Sequence, residues 1–198
     1  MRAVGLTGGI ASGKSAVESL LYAFPVIDAD RVSREVVAPG QPGLAAIVNA
    51  FGEGVLQPDG QLDRAKLRRW IAEDGRAQTR LNAILHPLIG AAIEAKMASL
   101  KEEPVVFISA ALMMETGSFR RYDDVILVTA PESIRLERLM ARDGMAEETA
   151  RQLMARQWPD ARKRELATVE IVNDGDMAVL ADRTRAALAA LGIPWRDS

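Results

Sequence analysis

The sequence contains no cysteine and a single histidine, His86. The absence of cysteine excludes a disulfide framework, a cysteine-ligated zinc site and catalysis by a thiol. One histidine alone also excludes a metal site built from several imidazoles. No stretch approaches the roughly 18 consecutive apolar residues that span a bilayer, and the N-terminus lacks the apolar run of a signal peptide. We therefore expect a cytoplasmic protein without a membrane partner.

A large excess of charge of either sign is also missing. The 198 residues include 25 Lys and Arg against 27 Asp and Glu, so no bulk charge attracts the chain to nucleic acid. Apolar residues make up 48% and charged residues 26%, which is typical of a globular enzyme. We expect one sizeable core with a smaller appended subdomain, as a monomer or a weak homo-oligomer.

Short apolar runs alternate with helical patterns along much of the chain, which predicts an α/β fold with a five-stranded parallel sheet and helices on both faces. Strands are predicted at residues 2–6, 25–28, 104–109, 124–129 and 168–172. Helices are predicted beside them at residues 14–23, 131–142, 146–156 and 176–190, followed by a loose tail from residue 193.

A long helical stretch separates the second predicted strand from the third. Its predicted helices cover residues 31–38, 43–51, 63–73, 76–85 and 88–101, with His86-Pro87 as a break between the last two. The stretch is too long for one crossover connection. We interpret residues 31–101 as a helical insert and residues 1–30 with 102–198 as the core.

A glycine-rich segment, GGIASGKS at residues 8–15, matches the phosphate-binding pattern G-x-x-x-x-G-K-[ST] between a predicted strand and a predicted helix. Its glycines let successive backbone N–H groups point inward at a phosphate, and the following helix contributes its positive N-terminal end. In such a loop Lys14 bridges the β- and γ-phosphates and the Ser15 hydroxyl ligates Mg²⁺. The segment predicts nucleotide binding but not the acceptor.

Two carboxylates, Asp28 and Asp30, follow the second predicted strand. Ligands of open α/β sheets bind at the carboxyl ends of the strands, and strand alternation would put both side chains on one side. One carboxylate would then orient or deprotonate an acceptor hydroxyl, and the other would hold Mg²⁺ through water. The alternative is that an aspartate caps the next helix.

Three further features allow two interpretations each. Arg135, Arg138 and Arg142 share one face of the 131–142 helix, which suits either a transition-state phosphate or a solvated surface paired with nearby glutamates. Asn173, after the last strand, suits either an adenine contact or a turn. His86 suits a capping or packing role better than a catalytic one.

Several motifs together resemble the dephospho-CoA kinase family over residues 4–175. LTGGIASGKS at 6–15 resembles the family's LTGGIGSGKS, with Ala11 in place of glycine, and VIDAD at 26–30 with Arg34 resembles DADxxxR. Four later segments match in order: the LHP at 85–87, ALMMETG at 111–117, RLMARD at 138–143 and Gln157 ahead of NDG at 173–175. Ala111 replaces the usual proline, and Thr168 stands where the family tends to have aspartate.

The resemblance implies the fold of P-loop NTPases, with the insert as the acceptor-binding part and residues 143–165 as a helical lid. It implies that Asp30, assisted by Asp28, is the base toward the ribose 3′-hydroxyl of dephospho-CoA, the small-molecule substrate. ATP and Mg²⁺ would be the cofactors, and Arg142 would reach the transferring phosphate. Acceptor binding would fall to Arg34, His86 and Glu115. The nucleotide-binding residues would be Gly8, Gly9, Ala11, Ser12, Gly13, Lys14, Ser15, Ala16, Arg138 and Asn173.

Two alternatives stay open at this point. Another P-loop kinase, acting on a small metabolite or a nucleoside monophosphate, shares everything except the acceptor. A P-loop switch that binds nucleotide without catalysis would carry a guanine motif of the form N/T-K-x-D, and the sequence has none.

Overall fold

The computed structural model describes residues 1–196, apart from the side chains of residues 72 and 73. The chain divides into two compact units. Residues 1–28 together with those from 100 onward form the first, which we call the sheet unit. Residues 29–99 form the second, the helical unit.

Five parallel strands form one sheet in the order β2-β3-β1-β4-β5, which confirms the predicted sheet. The strands are β1 (Arg2–Gly8), β2 (Val26–Asp28), β3 (Val105–Ser109), β4 (Asp124–Thr129) and β5 (Val169–Val172). Strand β1 is central, and its Leu6 pairs with Ser109 on one side and Ile126 on the other. Six of its seven residues are buried, because helices and loops cover both faces of the sheet. The loop after β1 therefore begins at the middle of the carboxyl edge.

Nine α-helices lie within the described residues, together with short 3₁₀ helices at Glu53–Val55 and Ser118–Arg121. They are α1 (Lys14–Leu20), α2 (Ala29–Glu35), α3 (Pro42–Phe51), α4 (Arg64–Glu73), α5 (Gly75–Ser99), α6 (Glu132–Asp143), α7 (Glu147–Ala155), α8 (Asp160–Arg164) and α9 (Met177–Ala190). No helix in this described part of the chain is both long enough and apolar enough to cross a membrane.

The core of the sheet unit has two parts because successive strand residues face opposite sides. On one side Val4, Leu6 and Phe107 pack with α1 and α9, through Val17 and Leu188. On the other side Val125 packs with Met113, Met114 and the partly buried ring of Trp158. The helical unit has a separate core, formed by Val37, Leu44, Ile47, Val55, Leu62, Leu67 and Leu81.

The predicted break at His86-Pro87 is wrong. Helix α5 runs through Pro87 without interruption from Gly75 to Ser99. Proline removes one helical hydrogen bond, to the carbonyl of residue 83, but Pro87 and Ala83 are both exposed, so water can satisfy that carbonyl. Buried residues before and after Pro87, among them Leu81 and Ile93, hold both halves of the helix in place.

The predicted loose tail is also wrong up to residue 196. Ile193 is only 2% exposed and belongs to the core of the sheet unit. Arg196 Nη1 donates a hydrogen bond of 3.1 Å to the carbonyl of Ala23. Residues 197 and 198 lie outside the described residues. Two smaller differences are that α1 ends at Leu20 rather than Ala23, and that the short helix α8 was not predicted.

Candidate active site

The segment 8–15, which we call the P-loop, lies between the end of β1 and the start of α1. A hydrogen bond of 3.0 Å from Ser12 N to Gly9 O closes the loop, and Gly13 has a φ of 91°. The backbone N–H groups of Gly13, Lys14 and Ser15 donate to no other described residue. Consecutive N–H groups of this kind form a concave donor surface for an anion.

The side chain of Lys14 is held at the mouth of this loop. Its Nζ donates to Glu18 Oε1 at 2.7 Å and also to the Ser109 hydroxyl, which in turn donates to Glu18. Glu18 follows Lys14 by four residues, so the two side chains lie on one face of α1. That spacing is a signal in the sequence that our prediction did not use. Ser109 ends β3, and only the sheet register brings it to Lys14.

Both polar backbone groups of Ile10, inside the P-loop, are bound by side chains. Ile10 N donates to Gln157 Oε1 at 2.6 Å, and Ile10 O accepts from Arg135 Nε at 2.9 Å. Arg135 also pairs with Asp160 at 3.0 Å and is 8% exposed. A methyl group on Gly9 would lie 2.4 Å from Arg135 Nη2, so the arginine packs directly on the loop. Arg135 is thus neither a free phosphate ligand nor part of a solvated face.

Asn173 and Arg138 lie on the other side of the P-loop. Asn173 is 5% exposed, and its Nδ2 donates to Ser12 O at 2.9 Å. A methyl group on Gly13 would lie 1.9 Å from that nitrogen. Arg138 Nη2 donates to Asn173 O at 3.3 Å, while the buried Nη1 has no hydrogen-bond partner among the residues described. Buried donors are normally satisfied, so Nη1 is available to an anion at the loop.

Glu115 faces the interior of the sheet unit. Its side chain is 15% exposed, and Oε1 accepts from Trp158 N at 2.9 Å. The same oxygen lies 2.9 Å from Nζ of Lys163, a side chain with no exposed surface. The contact is an ion pair by distance, although its angles do not meet hydrogen-bond geometry.

Arg142, at the end of α6, forms a two-pronged pair with its neighbour. Its Nε and Nη2 donate to the two oxygens of Asp143 at 2.8 and 2.7 Å. These hydrogen bonds hold the pKa of the Asp143 carboxyl below its ordinary value and raise the pKa of Arg142. The Arg142 side chain is 61% exposed, so it is open to a ligand that replaces Asp143.

The two aspartates do not belong to one strand. Asp28 is the last residue of β2, whereas Asp30 lies in the first turn of α2, so strand alternation does not relate their side chains. The prediction that strand alternation puts both side chains on one side is wrong, because the chain turns into a helix at Ala29. Both residues are exposed.

A group of arginines lies in the helical unit. Arg34 is in the last turn of α2, and Arg64 and Arg68 lie on the first turns of α4. Burial lowers the pKa of Arg64, and the positive charges of Arg34 and Arg68 lower it further. Arg68 Nε donates to Arg64 O at 3.2 Å. His86, in the middle of α5, is exposed.

The structure places Arg135, Arg138 and Asn173 beside the P-loop, and their roles toward a nucleotide stay predictions. Three further residues around the loop have no place in the prediction: Glu18, Ser109 and Asp160. Glu18 had a local signal in helix spacing. Ser109 and Asp160 act over 95 and 25 residues of sequence, which no local pattern reveals.

The chain is similar to known proteins over most of its length. The family model for dephospho-CoA kinase matches residues 2–178. A dephospho-CoA kinase of Streptomyces avermitilis is 46% identical over 179 residues, covering 89% of this chain and 86% of the relative. Among solved structures, a Thermus thermophilus protein with 32% identity superposes with a TM-score of 0.84, covering 96% of this chain and 97% of its own. A dephospho-CoA kinase of Campylobacter jejuni, 25% identical, gives 0.72 with coverages of 96% and 98%.

The match extends through the P-loop, the helical unit and the segment around Gln157, well beyond a motif that many nucleotide-binding proteins share. The chain therefore belongs to the dephospho-CoA kinase family.

Proposed function

We propose that the protein transfers the γ-phosphoryl group of ATP to the ribose 3′-hydroxyl of dephospho-CoA, giving CoA and ADP in the last step of CoA synthesis. The observation that carries the proposal is the family match over residues 2–178, which includes the P-loop and the whole helical unit. A P-loop alone would support only nucleotide binding.

ATP binds with its β- and γ-phosphates on the P-loop. The N–H groups of Gly13, Lys14 and Ser15, which have no partner among the described residues, donate to phosphate oxygens. Lys14 leaves Glu18 and Ser109 to contact the phosphates. Gly8, Gly9, Ala11 and Ser12 shape the loop, Ala16 supports it from α1 by donating to Gly13 O, and Asn173 acts by holding Ser12. Arg138 contributes the buried Nη1 beside Gly13.

The residues present fit a Mg²⁺ ion that shares its ligands with the nucleotide. The described residues contain no group of three or more acidic, histidine or cysteine side chains that would cage an ion. Mg²⁺ typically keeps several waters and takes one or two protein ligands beside substrate phosphates. The exposed Ser15 and Asp28 would hold the ion, Ser15 through its hydroxyl and Asp28 by way of water. Bound there, the ion would neutralise charge on the β- and γ-phosphates.

Asp30 is the base. An exposed carboxylate at the start of α2 suits acceptance of a proton from the acceptor hydroxyl, because it also orients that hydroxyl for in-line attack. Asp28 assists by position, as the last residue of the preceding strand.

The helical unit binds the acceptor. Arg34, Arg64 and Arg68 place three positive charges close enough for two of them to lower the pKa of Arg64. Like charges brought together favour an anion between them, and the diphosphate of dephospho-CoA is such an anion. The exposed His86 offers a further polar contact on α5. Glu115 takes no part in acceptor binding in this proposal, since its Oε1 is already engaged inside the sheet unit.

Arg142 exchanges Asp143 for the transferring phosphate. A guanidinium with a two-pronged carboxylate partner has the geometry to hold a phosphoryl group in the same way. The segment 143–165 then acts as the lid that keeps water from the site, because a wet site would hydrolyse ATP without an acceptor.

The test is incubation of the purified protein with Mg²⁺ and ATP plus one acceptor at a time, followed by chromatography and mass spectrometry. Dephospho-CoA, a set of nucleoside monophosphates, shikimate and no acceptor make up the panel. Formation of CoA and ADP in equal amounts, with dephospho-CoA preferred, is the expected result. Phosphorus NMR of the product distinguishes the 3′- from the 2′-phosphate.

Two outcomes would overturn the proposal. Turnover with a nucleoside monophosphate but not with dephospho-CoA would leave a P-loop kinase of another substrate class. ADP formed at the same rate with and without acceptor would indicate a nucleotide hydrolase or switch.

A further inference from the structure

Lys163, on helix α8, carries an ammonium group with no exposed surface. Lysine almost always keeps its charge in water, and desolvation of an ion pair can outweigh the attraction between its charges. Its pairing with Glu115 at 2.9 Å is therefore weak support for stability alone. A buried pair of this kind is better explained if its geometry serves another part of the molecule.

The pair fixes both ends of one short segment. Glu115 Oε1 lies between Trp158 N at one end and Lys163 Nζ at the other, each at 2.9 Å. The Trp158 ring packs on Met113 and Met114 on the far side of the sheet. The guanidinium of Arg162 lies 3.3 Å from the centre of the same ring. Residues 158–163 are thus pinned to the interior at their first and last positions.

The same segment and its neighbour hold the P-loop. Gln157 accepts from Ile10 N at 2.6 Å, and Asp160 holds Arg135, which donates to Ile10 O. Both backbone groups of Ile10 are therefore positioned by residues whose own placement depends on the buried pair. A shift of about 1 Å in a reacting group can reduce the rate about 100-fold.

We propose that Glu115 and Lys163 are positioning residues that set the conformation of the P-loop for ATP through Gln157 and Asp160. The inference rests on the proposed function, since it concerns how that kinase binds ATP. Neither residue contacts substrate in this role. Replacement of either one lets the segment move, so ATP binds more weakly, while acceptor binding in the helical unit is unaffected.

A matched control lies one residue further along α8. Arg164 also forms an ion pair, with Glu170 at 2.8 Å, but its side chain is 49% exposed, and no hydrogen bond joins the pair to a P-loop residue in the part of the chain described. Surface pairs contribute little to stability, so Arg164→Met changes the charge and length of a neighbouring side chain without affecting Ile10.

The test compares five variants: Glu115→Gln, Lys163→Met, the double variant that carries both of these changes, Gln157→Ala and Arg164→Met. Calorimetry measures the Kd for ATP without acceptor, steady-state kinetics measure the KM for each substrate, and thermal unfolding follows folding. We expect Kd and KM for ATP to rise about tenfold in Glu115→Gln, Lys163→Met and Gln157→Ala. The KM for dephospho-CoA should stay within about twofold, and Arg164→Met should match the wild type. A variant that combines Lys163→Met with Gln157→Ala should raise the Kd for ATP by less than the product of the two single fold-changes.

The double variant keeps the test decisive if a single variant does not fold. Replacing both charges avoids an unpaired buried ion, and such replacements are often tolerated. A double variant with ATP affinity within twofold of the wild type would overturn the proposal, whatever its melting temperature. Equal changes in KM for both substrates would overturn it as well, because a purely structural defect does not distinguish the two.

Failure of the proposed function is separable from failure of this inference. If the wild type binds ATP but makes no CoA, and the variants bind ATP about tenfold more weakly, the acceptor assignment fails and the positioning role stands. If the wild type makes CoA and the variants bind ATP normally, the positioning role fails and the function stands.

Discussion

The P-loop and the residues of the helical unit that we propose for the acceptor are held in different ways. Around the P-loop, Arg135, Gln157 and Asn173 each donate to or accept from a backbone group of the loop, and the first and last of these are buried. In the helical unit Arg34 and His86 are exposed. Burial lowers the pKa of Arg64, and the positive charges of Arg34 and Arg68 lower it further, so the three arginines repel one another. In the proposed function, the phosphates of ATP would meet a donor surface that is already arranged, whereas the acceptor would supply an anion to a group of cations.

This difference has a physical basis. Phosphoryl transfer needs little covalent chemistry from the protein, so catalysis depends on positioning and on charge stabilisation at the phosphates. A rigid loop serves that need. The proposed acceptor site, with its exposed and mutually repelling cations, would instead draw its binding energy from charge neutralisation. Variants in the two regions should therefore affect different kinetic constants.

Among the variants that compare the two regions, the largest effect is expected for Lys14→Ala. Removal of the Lys14 ammonium should lower kcat/KM for ATP on the order of 10³-fold, because the transferring phosphate loses a direct positive charge. Steady-state kinetics with ATP varied would measure this. Lys101→Ala, at a lysine that is 78% exposed, is the control. A Lys14→Ala enzyme within about threefold of the wild type would refute the phosphate-site assignment.

The comparison is sharpened by Arg64→Met. This change removes one cation from the Arg34–Arg64–Arg68 group and keeps a long apolar stem on α4. The KM for dephospho-CoA should rise about tenfold, as for the loss of one charge-assisted contact, with the KM for ATP unchanged. Arg76→Met, elsewhere on the exposed surface of the helical unit, is the matched control. A change in the KM for ATP instead would show that the two regions are not separable in this way.

A smaller effect is expected within the P-loop at Ala11. Its φ of 59° lies in the left-handed region, which costs a non-glycine residue about 1–2 kcal/mol. Ala11→Gly removes that strain but makes the unfolded chain more flexible, an opposing effect of about 0.4–1 kcal/mol. We expect a net gain of about 0.5 kcal/mol in the free energy of unfolding, measured by urea denaturation. Ala16→Gly, inside α1, should instead destabilise, by about 0.5–1 kcal/mol.

The smallest effect concerns the exposed pair Arg142–Asp143. Its hydrogen bonds lower the pKa of Asp143 in the folded protein, so the pair stabilises the fold above the unfolded pKa near 3.8. That contribution is lost as the pH falls through the folded pKa. Asp143→Asn should therefore lower the melting temperature slightly at neutral pH, and the difference from the wild type should vanish in strong acid. A difference that grows toward low pH would contradict this.

Local patterns in the sequence predicted much of the fold. The five strands and the P-loop follow from short apolar runs and from GGIASGKS, since each depends on neighbouring residues alone. Pro87 was misjudged because its cost is local while the packing that outweighs it, around Leu81 and Ile93, is tertiary. The burial of Ile193 likewise depends on a core that the last residues reach only after folding.

The roles of the loop residues and of Asn173 toward a nucleotide stay predictions. The position of the P-loop between β1 and α1 was predictable, because motif spacing specifies it. The pairing of Glu115 with Lys163 was not, since 48 residues separate two charges that only the finished fold brings to 2.9 Å. For Asp28 and Asp30 the predicted local geometry was wrong, because Asp30 lies in the first turn of α2 and not on an extension of β2.

The most direct test of the central claim is single-turnover phosphoryl transfer by Asp30→Asn, with ATP and dephospho-CoA both saturating and the Kd for ATP measured separately. We predict that CoA forms about 10²–10⁴-fold more slowly while the Kd for ATP stays within about twofold of the wild type, because the variant lacks only the group that accepts the hydroxyl proton. Transfer at close to the wild-type rate, or a loss fully accounted for by weaker ATP binding, would contradict the assignment of Asp30 as the base.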